Sequence, residues 1–375
     1  MVAESPVSRP THRESLVGLF LRFLKFGFLA WGGPVAQIGL IKHELVDRER
    51  WIPVDHFNRV LGIYQLLPGP EAHELCVYFG YMRHGRIGGL LAGLGFMLPG
   101  FVLMFALSWF YVTYGLQLSL FSALFYGLKP AVAALVVLAV YRIGRSAISD
   151  AALATIAALA LGATWIWQLN FAWVLLLSGL AYLFWHEGRK RYAAGLLALG
   201  LVPATMLSPW ATSTSLPLLA SIFWSGLKIG LLTFGGAYTA IPLLQQEAVY
   251  GNGWLTNAQY LDGIALGGIL PAPLIIFSTF VGYLAGGPGG AILMTLGVFL
   301  PAFSFTLIGH TYLERIVHHP GLQLFLKGLT AGVVGLIAAA AIQLARVAIV
   351  DMVTLGLGLI ALVILLRWRA SVAVA

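Results

Sequence analysis

Charge and cysteine are what this sequence has least of. Only 10% of its 375 residues are Asp, Glu, Lys or Arg, against about 25% in soluble domains, which excludes a large soluble catalytic domain. A single cysteine, Cys76, excludes an internal disulfide, a multi-cysteine metal site and an iron–sulfur cluster. The nine histidines contain no HExxH, and neither a metal nor another cofactor is expected. The longest clearly polar stretch runs only from Met1 to Ser15, so no nucleic-acid-binding module is expected. That stretch has no apolar core or small-residue cleavage site, and it reads as a cytoplasmic N-terminal segment rather than a cleaved signal.

What is abundant is apolar: 59% of the residues are hydrophobic and the mean hydropathy is +0.89. Apolar stretches repeatedly approach the roughly 20 residues that cross a bilayer. The expected fold is an all-α polytopic membrane protein with about 8–12 membrane segments. The net charge of +8 then reports first which loops stay in the cytoplasm.

Self-similarity organises the chain. Setting Gly32 on Gly235, an offset of 203, pairs Lys25 with Lys228, Gly27 with Gly230, Glu44 with Glu247 and Trp51 with Trp254. Pro68 and Pro70 fall on Pro271 and Pro273, and after small deletions Gly95 meets Gly297, Pro99 meets Pro301 and Asp150 meets Asp351. Matches between unrelated apolar stretches would fall on Leu, Ala and Val. These fall on Gly, Pro, Lys, Glu and Trp, which predicts a first repeat over 16–168, linking helices over 169–215 and a second repeat over 216–375.

The first repeat has Lys42, Arg48, Arg50, Arg59, Arg83 and Arg86 around its Pro-Gly-Pro element, while no Lys or Arg lies between Lys228 and Arg315. By the positive-inside rule the repeats are inverted relative to each other. Residues 55–82 then enter and leave on one side as a hairpin broken at Pro68-Gly69-Pro70, and 16–41 and 217–244 break at Gly32-Gly33-Pro34 and Gly235-Gly236. Full spans are expected near 87–114, 119–141, 151–167, 170–186, 191–208, 291–314, 321–345 and 351–367, which puts Arg142 and Arg145 in the cytoplasm.

Lys25 and Lys228 each lie about two turns before a Gly-Gly break. A lone lysine there would snorkel, but two at equivalent positions of inverted repeats suit an anionic substrate. Half-helices beginning at Pro34, Glu71, Ala237 and Leu274 would turn unpaired N–H groups and positive dipole ends towards the same place. Past the proline motif, Glu71, His73 and Glu74 of the first repeat stand where the second has Leu274, Ile276 and Phe277. An ionisable group beside an anion could couple proton movement to transport, or Glu71 could simply favour its helix start. Glu44 and Glu247, with Trp51 and Trp254 as interface anchors, and the pairs Arg145–Asp150 and Arg346–Asp351 are assigned to architecture.

The stretches FGFLAWGGPVAQIGLIKHEL and LLPGPEAHEL, repeated as IGLLTFGGAYTAIPLLQQE and ILPAPLIIFSTFVGY, resemble the chromate ion transporter (CHR) family in its long, two-domain form. The resemblance implies chromate export across the bacterial inner membrane, driven by the proton-motive force and giving chromate resistance. It places Lys25, Gly32, Gly33, Pro34, Gln37, Pro68, Gly69, Pro70 and Glu71 on the family's first-domain motifs. The second domain departs, with Gly-Gly-Ala at Gly235, Gly236 and Ala237, and with Ala272 between Pro271 and Pro273. The expected partners are chromate or sulfate, protons and membrane lipid, in an architecture that admits a homodimer. Sulfate has the same charge and nearly the same shape, so a carrier of another oxyanion fits these residues too. A membrane-embedded enzyme or lipid-handling scaffold is the rival of a different class, although no motif assembles a nucleophile with a base.

Overall fold

The computed structural model describes residues 14–65, 67–115, 119–167, 169–199, 217–234, 236–317 and 319–372. Among them the only β-pairing is one isolated bridge, and the rest of the regular structure is helical. Four helices are long and apolar enough to cross a bilayer: Glu71–Thr113, Ala123–Ala147, Leu274–Gly309 and Pro320–Ala348. Shorter apolar helices accompany them, and the chain is an all-α, multi-pass membrane protein.

The first repeat contains α1 (Leu16–Leu29), α2 (Pro34–Ile41) with a π turn at Lys42–Arg48, α3 (Val54–Tyr64), α4 (Glu71–Thr113), α5 (Ser119–Ala147) and α6 (Ala151–Trp165). Helices α7 (Phe171–His186) and α8 (Lys190–Leu199) follow. The second repeat contains α9 (Leu218–Leu232), a 3-10 turn Ala237–Thr239 leading into α10 (Ala240–Gln245) and a π turn Gln246–Gly251, then α11 (Asn257–Gly268). A 3-10 turn at Leu274–Ile276 leads into α12 (Phe277–Val317), followed by α13 (Pro320–Ala348) and α14 (Met352–Val372). Helices stop and restart at the expected breaks, where Gly32, Gly33, Gly69 and Gly236 take the positive φ that other residues avoid. The expected span 191–208 is met by α8 as far as Leu199, and 200–216 lie outside the described residues.

α4 and α12 are not straight. Gly85 at φ 59° and Gly287 at φ 63° interrupt them, and beyond each interruption the chain folds back. A Cβ built on Gly89 would lie 3.0 Å from the Val77 carbonyl oxygen, although twelve residues of straight helix would separate them by about 18 Å. Gly80 meets Gly88 backbone to backbone, and Gly282 meets Gly290 in the same way. Each is therefore a hairpin of a short arm (71–83 or 277–285) and a long arm (86–113 or 288–317).

Other crossings repeat as faithfully. Gly27 packs on Phe96 and Pro99 of the long arm, while Gly230 packs on Val298 and Pro301; Gly95 packs on Phe20 as Gly297 does on Phe223. In each case a side chain would meet backbone, so glycine is what allows the approach. The long arms of the two repeats run antiparallel, because Gly89 faces Leu307 while Gly93 faces Phe303. The centre of each Pro-x-Pro element also rests on the other repeat's long arm, Gly69 on Ala302 and Ala272 on Gly100. The alanine of the second motif is accommodated because its opposite number is a glycine.

The terminal helices are exchanged: α6 packs on α13, where Gly335 approaches Ala157, and α14 packs on α5, where Gly358 approaches Pro130. Asp150 and Asp351 do not pair with Arg145 and Arg346 as expected. Each caps a helix, accepting from Leu153 N at 2.9 Å and Thr354 N at 2.8 Å, and each accepts from a tyrosine, Tyr182 at 2.7 Å and Tyr126 at 2.6 Å. The cap satisfies otherwise orphaned helix-start donors better than a distant arginine would. Trp51 is likewise no lipid anchor. It is buried, with the Arg83 guanidinium 3.6 Å from its ring centroid and its Nε1 donating to Glu49 at 2.8 Å.

Candidate functional site

The breaks of the two repeats meet. Gly69 N donates to Thr233 O at 2.9 Å, and Pro68 and Phe234 form the isolated bridge. This stitch holds the first repeat's Pro-Gly-Pro against the residues just before Gly236. Beyond it, α4 starts at Glu71, whose carboxylate lies against Gly236: a Cβ there would be 3.3 Å from Glu71 Oε1. Gly236 has φ 102°, so both backbone geometry and space favour glycine at this point.

A cavity of about 190 Å³ opens where these elements converge. Its walls are Pro34 and Val35 at the start of α2, Glu71 at the start of α4, Gly236 and Tyr238 of the second break, and a face of α5 that carries Leu138, Ala139, Arg142 and Ser146. The starts of α2 and α4 leave backbone N–H groups without helical partners. A guanidinium and two helix starts around one space form a setting for an anion, since Arg offers paired donors in a fixed plane and the helix ends add fixed positive dipoles. Glu71 is the opposing charge in the same wall.

Of the residues expected to bind substrate, Pro34 and Gly236 line this cavity, together with Glu71, the residue expected to couple protons. Gly69, Pro68 and Pro70 are buried in the stitch behind it, and Pro271 and Pro273 are buried at the second Pro-x-Pro. Gly32 and Gly33 form the turn into α2, and Gly235 lies outside the described residues. Gln37 is buried; its Nε2 donates to Ala30 O at 3.1 Å, closing the end of α1, and its Oε1 has no partner. Lys25 is exposed on α1. Lys228 donates to both oxygens of Glu247, at 2.7 and 2.8 Å, and Ser225 donates to the same carboxylate at 2.8 Å. Neither lysine is part of the cavity wall.

His73 and Glu74 are fully buried behind Glu71. The His73 ring is edge-on to Phe299 and Phe303, with centroids at 5.0 and 4.7 Å. Glu74 tucks against Gly69, where a Cβ would lie 2.9 Å from its Oε1, and both its oxygens lack partners. A buried ion without a partner is costly.

Arg142 is the residue that sequence reasoning placed elsewhere, as a cytoplasmic loop charge. The pattern gave no signal: Arg142 falls on Gln343 of the second repeat, as a sidedness charge of an inverted repeat would, and it is Arg145 that has an arginine counterpart.

Comparison with known proteins fits this architecture. The profile of the family described as chromate transporter matches residues 17–183 and 220–375, the first match running past the expected first repeat into α7. A chromate transport protein of Pseudomonas aeruginosa is 50% identical over 364 residues, covering 94% of this chain and 87% of that protein. A chromate transport protein of Cupriavidus metallidurans is 32% identical over 369 residues, covering 98% and 91%. An uncharacterized transporter of Methanocaldococcus jannaschii is 26% identical over 356 residues, covering 89% and 85%. No solved structure matches the chain.

Proposed function

The chain belongs to the chromate transporter family, and on that premise we propose that it is a secondary transporter exporting chromate across a bacterial inner membrane. The observation that carries the reading is the cavity in which Arg142 faces the starts of α2 and α4. Chromate, a tetrahedral dianion, is matched there by charge and by converging donors. Lys25, exposed shortly before the first break, would draw the anion towards that cavity.

The two repeats would work as inverted halves giving access to either side in turn. Support comes from the long arms, which run antiparallel, as equivalent helices do when their two-fold axis lies in the membrane plane. The energetics favour export. Each charge crossing 100 mV changes free energy by about 2.3 kcal/mol, so a dianion leaving a negative interior gains about 4.6 kcal/mol. That corresponds to a gradient of about 2,000-fold, and chromate resistance would follow.

Proton coupling would fall to Glu71, backed by His73 and Glu74. A dianion beside an ionised Glu71 is repelled, so a proton on Glu71 would accompany the anion in the cavity. Everted vesicles should accumulate chromate when energised, a protonophore should abolish accumulation, and Arg142→Gln should slow it by about tenfold or more. Wild-type accumulation by Arg142→Gln would sink the site, and insensitivity to the protonophore would sink the coupling. Helix ends and guanidinium groups read charge more than identity, so sulfate is the second candidate cargo. Competition by excess sulfate would decide between them.

A further inference from the structure

A second cavity, of about 320 Å³, lies among Tyr111, Tyr126, Lys129, Asp262, Val350 and Thr354. Its centre is an ion pair: Lys129 Nζ lies 3.2 Å from Asp262 Oδ1, and Tyr111 donates to Asp262 Oδ2 at 2.9 Å. Asp262 is buried within α11, with only 7% of its side chain exposed, while Lys129 keeps 23%. Asp262 has no counterpart to copy, since the equivalent position of the first repeat is Arg59.

Position sets this cavity apart from the first. Lys129 and Arg142 are both on α5, and thirteen residues of helix separate them by about 20 Å. The second cavity gathers the end of the α4 long arm, the early part of α5, the end of α13 and the start of α14. The positive-inside scheme places all four of these ends outside the membrane, opposite the Arg142 end of α5. Lys129 is the next cation along α5 on the outer side of Arg142.

As the pair stands, the pocket does not welcome an anion. Asp262 neutralises Lys129, and Asp351, held by Tyr126 at 2.6 Å, adds a negative charge at the rim. Among the described residues no other titratable group faces Asp262 in this pocket. Val347 and Ala348 of α13 are apolar, Phe280 of α12 is edge-on to Tyr111 with centroids 5.0 Å apart, Tyr260 of α11 is turned to Ile241 O at 2.6 Å, and Arg346 lies over Trp165 at 5.3 Å. A proton on Asp262 changes the balance, because it frees the ammonium group of Lys129 while Tyr111 can still hydrogen-bond the neutral acid.

We propose that Lys129 is a second binding position for the oxyanion, on its way out, made available when Asp262 takes a proton from the outer solution. This rests on the oxyanion-transport reading and adds to it an outer step gated by external acidity.

The test uses everted vesicles, whose lumen is the outer side, with membrane potential clamped and the luminal pH varied alone. Chromate entry by the unaltered protein should rise as the lumen is acidified. Asp262→Asn should be fast and insensitive to luminal pH, Lys129→Gln about tenfold slower at every pH, and the double variant as slow as Lys129→Gln. Tyr111→Phe removes one donor to the carboxylate and should move the luminal pH dependence upward, which provides a second reading should Asp262→Asn fail to assemble. A wild-type luminal pH profile in Asp262→Asn or Tyr111→Phe, or wild-type rates in Lys129→Gln, would overturn the outer step while leaving the Arg142 site standing. Absence of any oxyanion movement by the unaltered protein would overturn the transport reading and this step with it.

Discussion

Replacing Gly100 by alanine would bring two methyl groups into one place. A Cβ at Gly100 would stand under 3.0 Å from the Ala272 Cβ, whereas its next neighbours, Ala272 Cα and Ile276 Cγ1, are both at an ordinary 3.6 Å. Carbon atoms pack at about 3.5–4.0 Å, so the α4 long arm and the second Pro-x-Pro element must part by about 1 Å. Overpacking of this kind costs about 1–3 kcal/mol. Ala272→Gly in the same chain removes the opposing methyl group and should recover most of the loss, less the up to about 1 kcal/mol that added backbone freedom costs. Thermal stability of the two single variants and the double variant in detergent should give a coupling of at least about 1 kcal/mol. Chromate accumulation in everted vesicles should fall and recover in parallel, because the contact fixes one repeat's break on the other's arm. If the two single effects add to within about 0.5 kcal/mol, the methyl-to-methyl contact is not what places glycine at 100 and alanine at 272.

Lys228→Gln should lower stability, because it leaves the Glu247 carboxylate, 11% exposed, with Ser225 as its remaining partner; Lys25→Gln has no ion pair to lose among the described residues and should instead slow transport. Thermal midpoints in detergent check the order of the two, and a larger loss for Lys25→Gln would refute it. Burial raises the pKa of Glu49, but hydrogen bonds from Trp51 and Arg22 outweigh it and hold the group below its ordinary value. A carboxyl group lowered in this way stabilises the fold above its unfolded value and loses that contribution as pH falls through the folded value. Glu49→Gln should therefore narrow the stability difference between neutral and acidic buffer, by under about 1 kcal/mol since the pair is partly exposed, and an unchanged difference would count against the network.

The repeat and its breaks were legible in the sequence because glycine and proline are placed by backbone geometry, which survives when apolar side chains drift. Gly32, Gly69 and Gly236 needed positive φ, and Gly27 and Gly230 needed contact with a carbonyl, so their spacing carried the fold. The partners of charged residues were not legible. Lys228 finds Glu247 across the second break, 19 residues on, while its first-repeat counterparts part company, with Lys25 exposed and Glu44 paired to Arg48 at 3.0 Å. Symmetry argued for equal roles, but an arginine one turn beyond Glu44, matched by Gly251 of the second repeat under the wider offset of 203, was enough to divert it. Arg142 and Arg145 read alike as sidedness because hydropathy cannot tell which face of α5 a residue occupies. Asp262 was passed over for a related reason, since its partners Tyr111 and Lys129 are 151 and 133 positions away along the chain.

During synthesis α6 emerges well before the helix on which it comes to rest. Ala157 and Gly335, which meet across the α6–α13 interface, are 178 positions apart in the sequence, and at about 5–20 residues per second the ribosome needs about 10–35 s to supply the second. For that interval the first repeat sits in the bilayer with its glycine-approached surfaces facing lipid, and the Pro-Gly-Pro element has no Thr233 carbonyl to accept from Gly69. Its ion pairs from Arg22 to Glu14 and Glu49 and its Arg83–Trp51 stack lie within the first repeat and the segment just before it, and can form at once. The charged edge of that repeat thus acts as a holding arrangement for a half-finished chain, and the less charged second repeat arrives to a partner already in place.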